Sequence, residues 1–328
     1  MAVTYLICAA GDGTRFRATL PSTPKPLIRM KGKTMLEWSL ASLPILSKDH
    51  LIIITKKDHQ VQSQLEDTIR GNYPFSKLSW LEIDKTTKGQ LDTALLAKPY
   101  LQLKNSLCIY NCDSFFQSKT LLRLIEDQNI EGIIPCSKEP GTAWSFCKID
   151  RYGQVREVKE KIRISPWATV GLYYFRSTSL FLQYALEELS QEIAGEYYVA
   201  PLYDRYIKNG YKVVIDRLHL FKPMGTPEQL QKYWNISTAK LIEENSAKKT
   251  ILVDIDNTIT IENPSDPYSQ KKPNLPLIHK LQEYHDNGYE IILFTARRMK
   301  THQHNEAKVI RDIGYVTLTW LKKTQGSL

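Results

Sequence analysis

Cysteine is scarce in this 328-residue chain: Cys8, Cys108, Cys112, Cys136 and Cys147 are odd in number and form no CxxC pair. Most lie inside apolar runs. Neither a disulfide framework nor a zinc site is expected, and the pattern fits buried, reduced thiols in a cytosolic protein. No apolar stretch approaches the roughly 20 residues of a membrane-spanning helix. The apolar start from Val3 to Ala10 has no basic segment before it and runs straight into Gly11, so it reads as a buried first strand and not a signal peptide. The expectation is a cytoplasmic protein without a membrane partner. Internal repeats and low-complexity segments are also missing. Lys and Arg number 44 against 35 Asp and Glu, a net +9 that is spread out with no dense basic run. No nucleic-acid surface is expected; the excess suits a solvated exterior and a site for anionic substrates.

The length suggests two domains, and 42% hydrophobic with 24% charged residues is ordinary for globular proteins. Short β-rich runs at Val3–Ala9, Leu51–Thr55, Leu78–Ile83 and Leu107–Cys112 alternate with helical patterns at Thr34–Leu43, Asp58–Arg70, Leu91–Leu101 and Ser118–Glu126. That alternation predicts a parallel sheet covered by helices. Strands without long helices follow at Ile133–Cys136, Trp144–Asp150, Gln154–Val158 and Thr169–Phe175, predicting a mixed or antiparallel extension. Helices at Thr178–Ser190 and Tyr197–Asn209, a strand at Lys212–Ile215 and a helix from Pro227 close a first domain, placed at residues 1–237. The polar, helix-favouring segment Thr238–Lys249 reads as a connector. A second domain, 249–328, shows a strand Thr250–Ile255, a helix Leu275–Asn287, a strand Glu290–Thr295 and a helix Asn305–Ile313.

The first chemical constellation is Ala9-Ala10-Gly11-Asp12-Gly13-Thr14-Arg15-Phe16, directly after the first strand. Glycines there let backbone N–H groups approach a phosphate. An ordinary tight turn is the competing reading. Phe16 stands where the dinucleotide fingerprint wants a third glycine, and the Gly-Lys-Ser/Thr of a P-loop is missing. Arg15 follows the turn, and Pro24-Lys25-Pro26-Leu27 comes soon after, the prolines predicting a stiff extended segment around Lys25. A guanidinium and an ammonium converging on this turn suit a triphosphate whose pyrophosphate must leave.

From Ala9 to Leu36 the chain resembles the sugar-nucleotidyltransferase superfamily, with its Ala-Ala-Gly-x-Gly-Thr-Arg turn, downstream Pro-Lys-Pro-Leu, and a Gly-Lys that Gly32-Lys33 supplies. The resemblance extends over about residues 3–235. It implies an α/β, Rossmann-like domain with a mixed sheet, and nucleotide contacts from Ala10, Gly11, Gly13, Thr14, Gly89 and Thr93. Arg15, Lys25, Asp113 and Lys161 become candidate catalytic residues. Asp113, after the strand ending Asn111-Cys112, takes the place of a Mg²⁺ ligand, a helix cap being the alternative. Glu160 and Lys161 in Val158-Lys159-Glu160-Lys161, and Glu196 and Tyr197 in Gly195-Glu196-Tyr197-Tyr198, would face the acceptor. Many family members carry a second metal-binding aspartate just before the glycine of the closing turn. Here Pro223-Met224 precede Gly225, so either one carboxylate with phosphates and water holds the ion, or Asp216 is a weak substitute, or metal binds without full activity.

The second constellation is the strand Thr250-Ile251-Leu252-Val253-Asp254-Ile255-Asp256, whose alternate aspartates share one side of an extended chain. With Thr295 after Ile291-Ile292-Leu293-Phe294, this resembles the haloacid dehalogenase superfamily. Lys322 or Lys323 could stand for that superfamily's lysine. No Asp or Glu follows Asp312, so a truncated, degenerate domain is expected ahead of an active phosphatase.

The function implied is an Mg²⁺-dependent nucleotidyltransferase. It would join an NTP to a phosphorylated sugar, polyol or similar small acceptor for surface polysaccharide, releasing pyrophosphate. CTP or UTP is preferred because the loop around Gly89 is short and small-sided. The alternatives are a bifunctional transferase/phosphatase and a weakened nucleotide-binding regulator, and self-association is left open.

Overall fold

The computed structural model describes residues 2–189, 195–246 and 250–324, apart from 262, 264 and 288. The predicted end points Ser190, Lys249 and Leu328 lie outside the described residues. The chain divides into two compact units, Met1–Asn245 and Ser246–Leu328.

In the N-terminal unit, Val3–Ala9 lies between His50–Lys56 and Ser106–Asn111, parallel to both, with Lys77–Ile83 continuing the parallel half. The three inner strands are covered on both faces and are mostly apolar, whereas the edge strand Lys77–Ile83 is largely half-buried or exposed. Leu51 to Ile54 have no exposed surface. Val3, Tyr5, Ile7 and Ala9 pack into one core layer, while Leu6 and Ala10 join the layer on the opposite face. Beyond Ser106–Asn111 the sheet turns mixed. Leu172–Phe175, Gly132–Lys138, Trp167–Thr169, Ser145–Ile149 and Val155–Glu160 follow in antiparallel order, and Val213–Arg217 pairs in parallel with Gly132–Lys138.

Three departures from the sequence reading shape the site. The strand expected over Thr169–Phe175 is broken at Gly171, which has φ +87° and faces the Asn111 side chain so closely that a Cβ there would lie 2.2 Å from Asn111 Nδ2. The helix expected from Tyr197 begins only at Leu202. Tyr197 instead donates its N–H to Lys88 O and accepts from Leu91 N, a tertiary pairing that overrides local helical preference. Finally, the connector is helical over Thr238–Asn245, in keeping with its helix-favouring composition, but belongs to the N-terminal unit and packs on it. Its Leu241 is buried with Phe16, Met35, Phe115, Met224 and Trp234 in a third core cluster that backs the glycine turn and the closing turn.

The C-terminal unit pairs Thr250–Asp254 in parallel with Glu290–Phe294. The helix Leu275–Asp286 and the helix Tyr315–Thr324, the latter not anticipated, supply Ile278, Leu281 and Trp320 to its core with Val253, Ile255 and Ile259. The helix expected over Asn305–Ile313 is regular only at Glu306–Val309 and continues through a wider turn at Ile310–Gly314. Among the described residues no helix is long and apolar enough to cross a membrane.

Candidate functional site

The carboxyl ends of the parallel strands converge on two adjoining cavities, the usual location for a ligand in an open α/β sheet. The first, about 490 Å³, is walled by Ala10, Gly11, Asp12, Thr14, Thr86, Thr87, Gly89, Thr93 and Glu196. The second, about 210 Å³, is walled by Arg15, Trp144, Ser145, Glu160, Tyr173, Gly225 and Gln229. Gln90, Asn111, Asp113 and Tyr198 line both.

Gly13 has φ +60°, and a Cβ on it would sit 3.0 Å from Lys25 Cβ, so the glycine lets the Lys25 segment close against the turn. Around Gly11 a Cβ position is open, leaving the backbone accessible from the cavity. Lys25 does not stay extended as expected: it opens a single helical turn, Lys25–Leu27, after an extended Pro24. Its ammonium forms a short ion pair with Asp113. Burial pushes the Lys25 pKa down, but the Asp113 carboxylate outweighs that, holding it above the usual lysine value. Arg15 lies close by, its Nη1 3.9 Å and Asp113 Oδ2 3.2 Å from where a Cβ on Gly225 would be.

On the other wall, Glu160 accepts a short hydrogen bond from Ser145 Oγ. Burial raises its pKa, with the Ser145 contact partly opposing. Lys161, at φ +54°, reaches Tyr198 Oη and lies 3.5 Å from Glu196. Tyr198 in turn donates to Glu196, which lowers the Glu196 pKa.

Residues 5–167 match the family model of the MobA-like NTP transferase domain. The match lies within the N-terminal unit. The bifunctional protein GlmU of Nitrosococcus oceani is 26% identical over 240 residues, which are 70% of this chain and 51% of that protein. GlmU of Francisella tularensis subsp. holarctica is 25% identical over 164 residues, 49% of this chain and 33% of that protein. The chain thus spans between a third and about half of these curated relatives. A nucleoside-diphosphate-sugar pyrophosphorylase from Vibrio cholerae superimposes with a TM-score of 0.62 at 24% identity, covering 70% of this chain and 99% of that one. The inositol-1-phosphate CTP transferase from T. maritima gives 0.55 at 15% identity, with 74% and 97% covered. At such identities the likeness to the solved structures is one of fold.

Within the N-terminal unit, Ala10, Gly11, Thr14, Gly89 and Thr93 share the first cavity, while Arg15 and Glu160 face the second; Asp113 faces both. Gly89, at φ +121°, is required as glycine because a Cβ would meet Tyr197 O at 2.5 Å. Several expectations need correction. Asp216 lines neither cavity: its buried carboxylate accepts hydrogen bonds from Ser118 Oγ at 2.6 Å and Thr120 Oγ1 at 2.5 Å, tying down the start of the next helix. Tyr197 serves through its backbone, and the neighbouring Tyr198 presents its side chain, as alternation along an extended segment dictates. Glu196, expected to face the acceptor, lines the larger, glycine-turn cavity and not the smaller one. Lys25 and Lys161 line neither cavity: Lys25 pairs with Asp113, and Lys161 contacts Tyr198 and Glu196.

Sequence reading missed Asn111 and Gln229 as wall residues. Asn111 precedes Asp113 by two and so shares its side of the strand end. Gln229, which accepts from Gly225 N at 2.7 Å, had no signal beyond its place in a helix start.

In the C-terminal unit Asp256 is brought to Thr295 as expected, with Thr295 Oγ1 donating at 2.7 Å. The surprise is Arg297, whose Nε donates to Asp256 Oδ1 at 2.8 Å from a fully buried side chain. Asp254 accepts from the Asp256 N–H at 3.4 Å.

Proposed function

We propose that the N-terminal unit transfers a nucleoside monophosphate from an NTP to a phosphorylated small acceptor. The single observation that carries this reading is Asp113, a carboxylate common to a glycine-turn cavity and a smaller polar-aromatic one. The triphosphate lies along Gly11–Gly13 in the larger cavity, and the acceptor occupies the smaller. An acceptor phosphate oxygen attacks the α-phosphorus, the bond to the β-phosphate oxygen breaks, and pyrophosphate leaves with that electron pair. A phosphate dianion is already nucleophilic, so the protein contributes alignment and positive charge, the latter from Arg15. Glu160, Tyr173 and Tyr198 hold the body of the acceptor.

Asp113 fits a magnesium site of the kind in which one carboxylate, phosphate oxygens and water share the ion. Bound there, Mg²⁺ would supply charge neutralisation to the phosphates. Lys25, paired with Asp113, would keep that carboxylate aimed. A pyrimidine nucleotide suits the small-sided wall at Gly89 and Thr93, and an activated sugar, polyol or similar group for surface polysaccharide is the product favoured.

For the C-terminal unit we propose a haloacid dehalogenase-like fold with little or no phosphatase activity. The engagement of Asp256 by Arg297 and Thr295 supports this, since an acid/base carboxylate needs freedom to exchange protons with a substrate. The test is pyrophosphate release across a panel of NTPs and phosphorylated acceptors, with phosphate release from phosphomonoesters followed in parallel. Release of pyrophosphate with one NTP–acceptor pair supports transfer. Phosphomonoester turnover abolished by Asp254→Asn overturns the C-terminal assignment.

A further inference from the structure

The glycine turn contains an acidic residue, Asp12, between its two glycines, and Asp12 lines the proposed triphosphate cavity. A free carboxylate there would repel the polyanion that the turn is shaped to receive. Two neighbouring strands answer this at their carboxyl ends. Lys56, last residue of His50–Lys56, places Nζ 2.9 Å from Asp12 Oδ1, with its side chain only 14% exposed. Thr86, just past Lys77–Ile83, sets Oγ1 3.0 Å from each Asp12 oxygen. Both oxygens are thereby engaged, and the turn is tied to the Thr86–Gly89 wall of the same cavity. Lys56 has a second, looser partner in the exposed Asp58 at 3.6 Å.

We infer that Lys56 is a positioning residue for nucleotide binding: it neutralises Asp12 and, with Thr86, holds that carboxylate engaged so that its charge does not oppose the triphosphate. Lys56 does not line the cavity, so its effect is exerted through Asp12. This rests on the nucleotidyl-transfer reading for its consequence in catalysis, but the charge balance itself can be tested without turnover. The hydrogen bond from Lys56 already lowers the Asp12 pKa, so the carboxylate is ionised at neutral pH and its charge needs an answer.

The experiment compares the parent with Lys56→Met, Asp12→Asn and the double variant. Binding of inorganic triphosphate is measured by titration calorimetry, and KM and kcat for the active NTP by pyrophosphate release. Lys56→Met is expected to weaken triphosphate binding and raise KM by about tenfold, the scale of one uncompensated charge a few ångströms away in a partly screened site, with kcat changed far less. Asp12→Asn alone should not weaken binding, and adding it to Lys56→Met should restore near-parental affinity. A Lys56→Met protein that binds triphosphate like the parent overturns the inference, as does a double variant no better than Lys56→Met, or an Asp12→Asn protein as weak as Lys56→Met. If the binding order holds while no NTP yields pyrophosphate, the charge inference stands and the transfer reading falls.

Discussion

Each unit places a carboxylate just past the end of a parallel strand and gives it a basic partner, yet the two pairs are built differently. Asp113 meets Lys25, both side chains retaining some exposure, at 22% and 16%, and the carboxylate opens onto two cavities. Asp256 meets the guanidinium of Arg297, which has no exposure at all and also donates to Thr317 Oγ1 at 3.3 Å, while Thr295 takes the other Asp256 oxygen. An ammonium is a compact charge on a flexible stem that can share its carboxylate with an incoming ligand; a guanidinium fork sealed in a core fixes it. The first pair suits a working site. The second suits a structural clasp.

Breaking the first pair should give the largest effect. Lys25→Ala and Asp113→Asn are each expected to cut nucleotidyl transfer by about 10²-fold or more, the scale for losing one charged contact at the reacting centre. Because Lys25 reaches the site only through Asp113, the double variant should be little worse than either single one. Single-turnover rates across that cycle check this, and additive losses would give Lys25 a separate contact with substrate. Asp113→Asn should also shift the magnesium dependence of the rate, which a magnesium titration reads.

Breaking the second pair should instead cost stability. Arg297→Ala leaves the partly buried Asp256 carboxylate without its cation and opens space beside Tyr268, whose ring lies 4.6 Å from the guanidinium carbon. A loss of about 2 kcal/mol is expected, seen by calorimetry as a lower melting temperature for the C-terminal transition, with transfer activity preserved below it. A large loss of transfer at temperatures where the protein stays folded would erase the distinction between the pairs.

The smallest effect concerns the third carboxylate–cation pair, Asp12 with Lys56. The folded-state pKa of Asp12 is lowered, chiefly by the Lys56 hydrogen bond. The pair's stabilisation is therefore complete above the ordinary aspartate range and is lost as pH falls through the depressed folded value. The parent should exceed Asp12→Asn by about 1 kcal/mol or less at pH 7, and the two should converge in strongly acidic solution. Melting curves between pH 7 and 3 measure it; a gap that widens on acidification contradicts the sign.

The three inner strands of the parallel half were readable because they are buried on both faces and are mostly apolar, while the edge strand Lys77–Ile83 was readable from its short β-rich run. The glycine turn, Lys25 and Asp113 were readable because the chemistry demands particular residue types at strand ends. What escaped depended on distant partners. Nothing local announces that Tyr197 will pair with Lys88 and Leu91 and so stay out of a helix, or that Asp216 will serve Ser118 and Thr120. Arg297 was passed over because the pattern drew attention to Thr295, and only the packing around Tyr268 and Thr317 reveals where the guanidinium goes.

The break at Gly171 links two positions 60 residues apart into one unit of change. Asn111 stands in the volume that any side chain at 171 would need, 2.2 Å from its first carbon. An alanine at 171 would therefore force Asn111 out of the wall common to both cavities, and a smaller residue at 111 would be the compensating exchange. Across relatives of this chain the two sites should vary together or stay fixed together, so a bulkier residue at 171 marks a protein whose two cavities meet at a differently shaped junction.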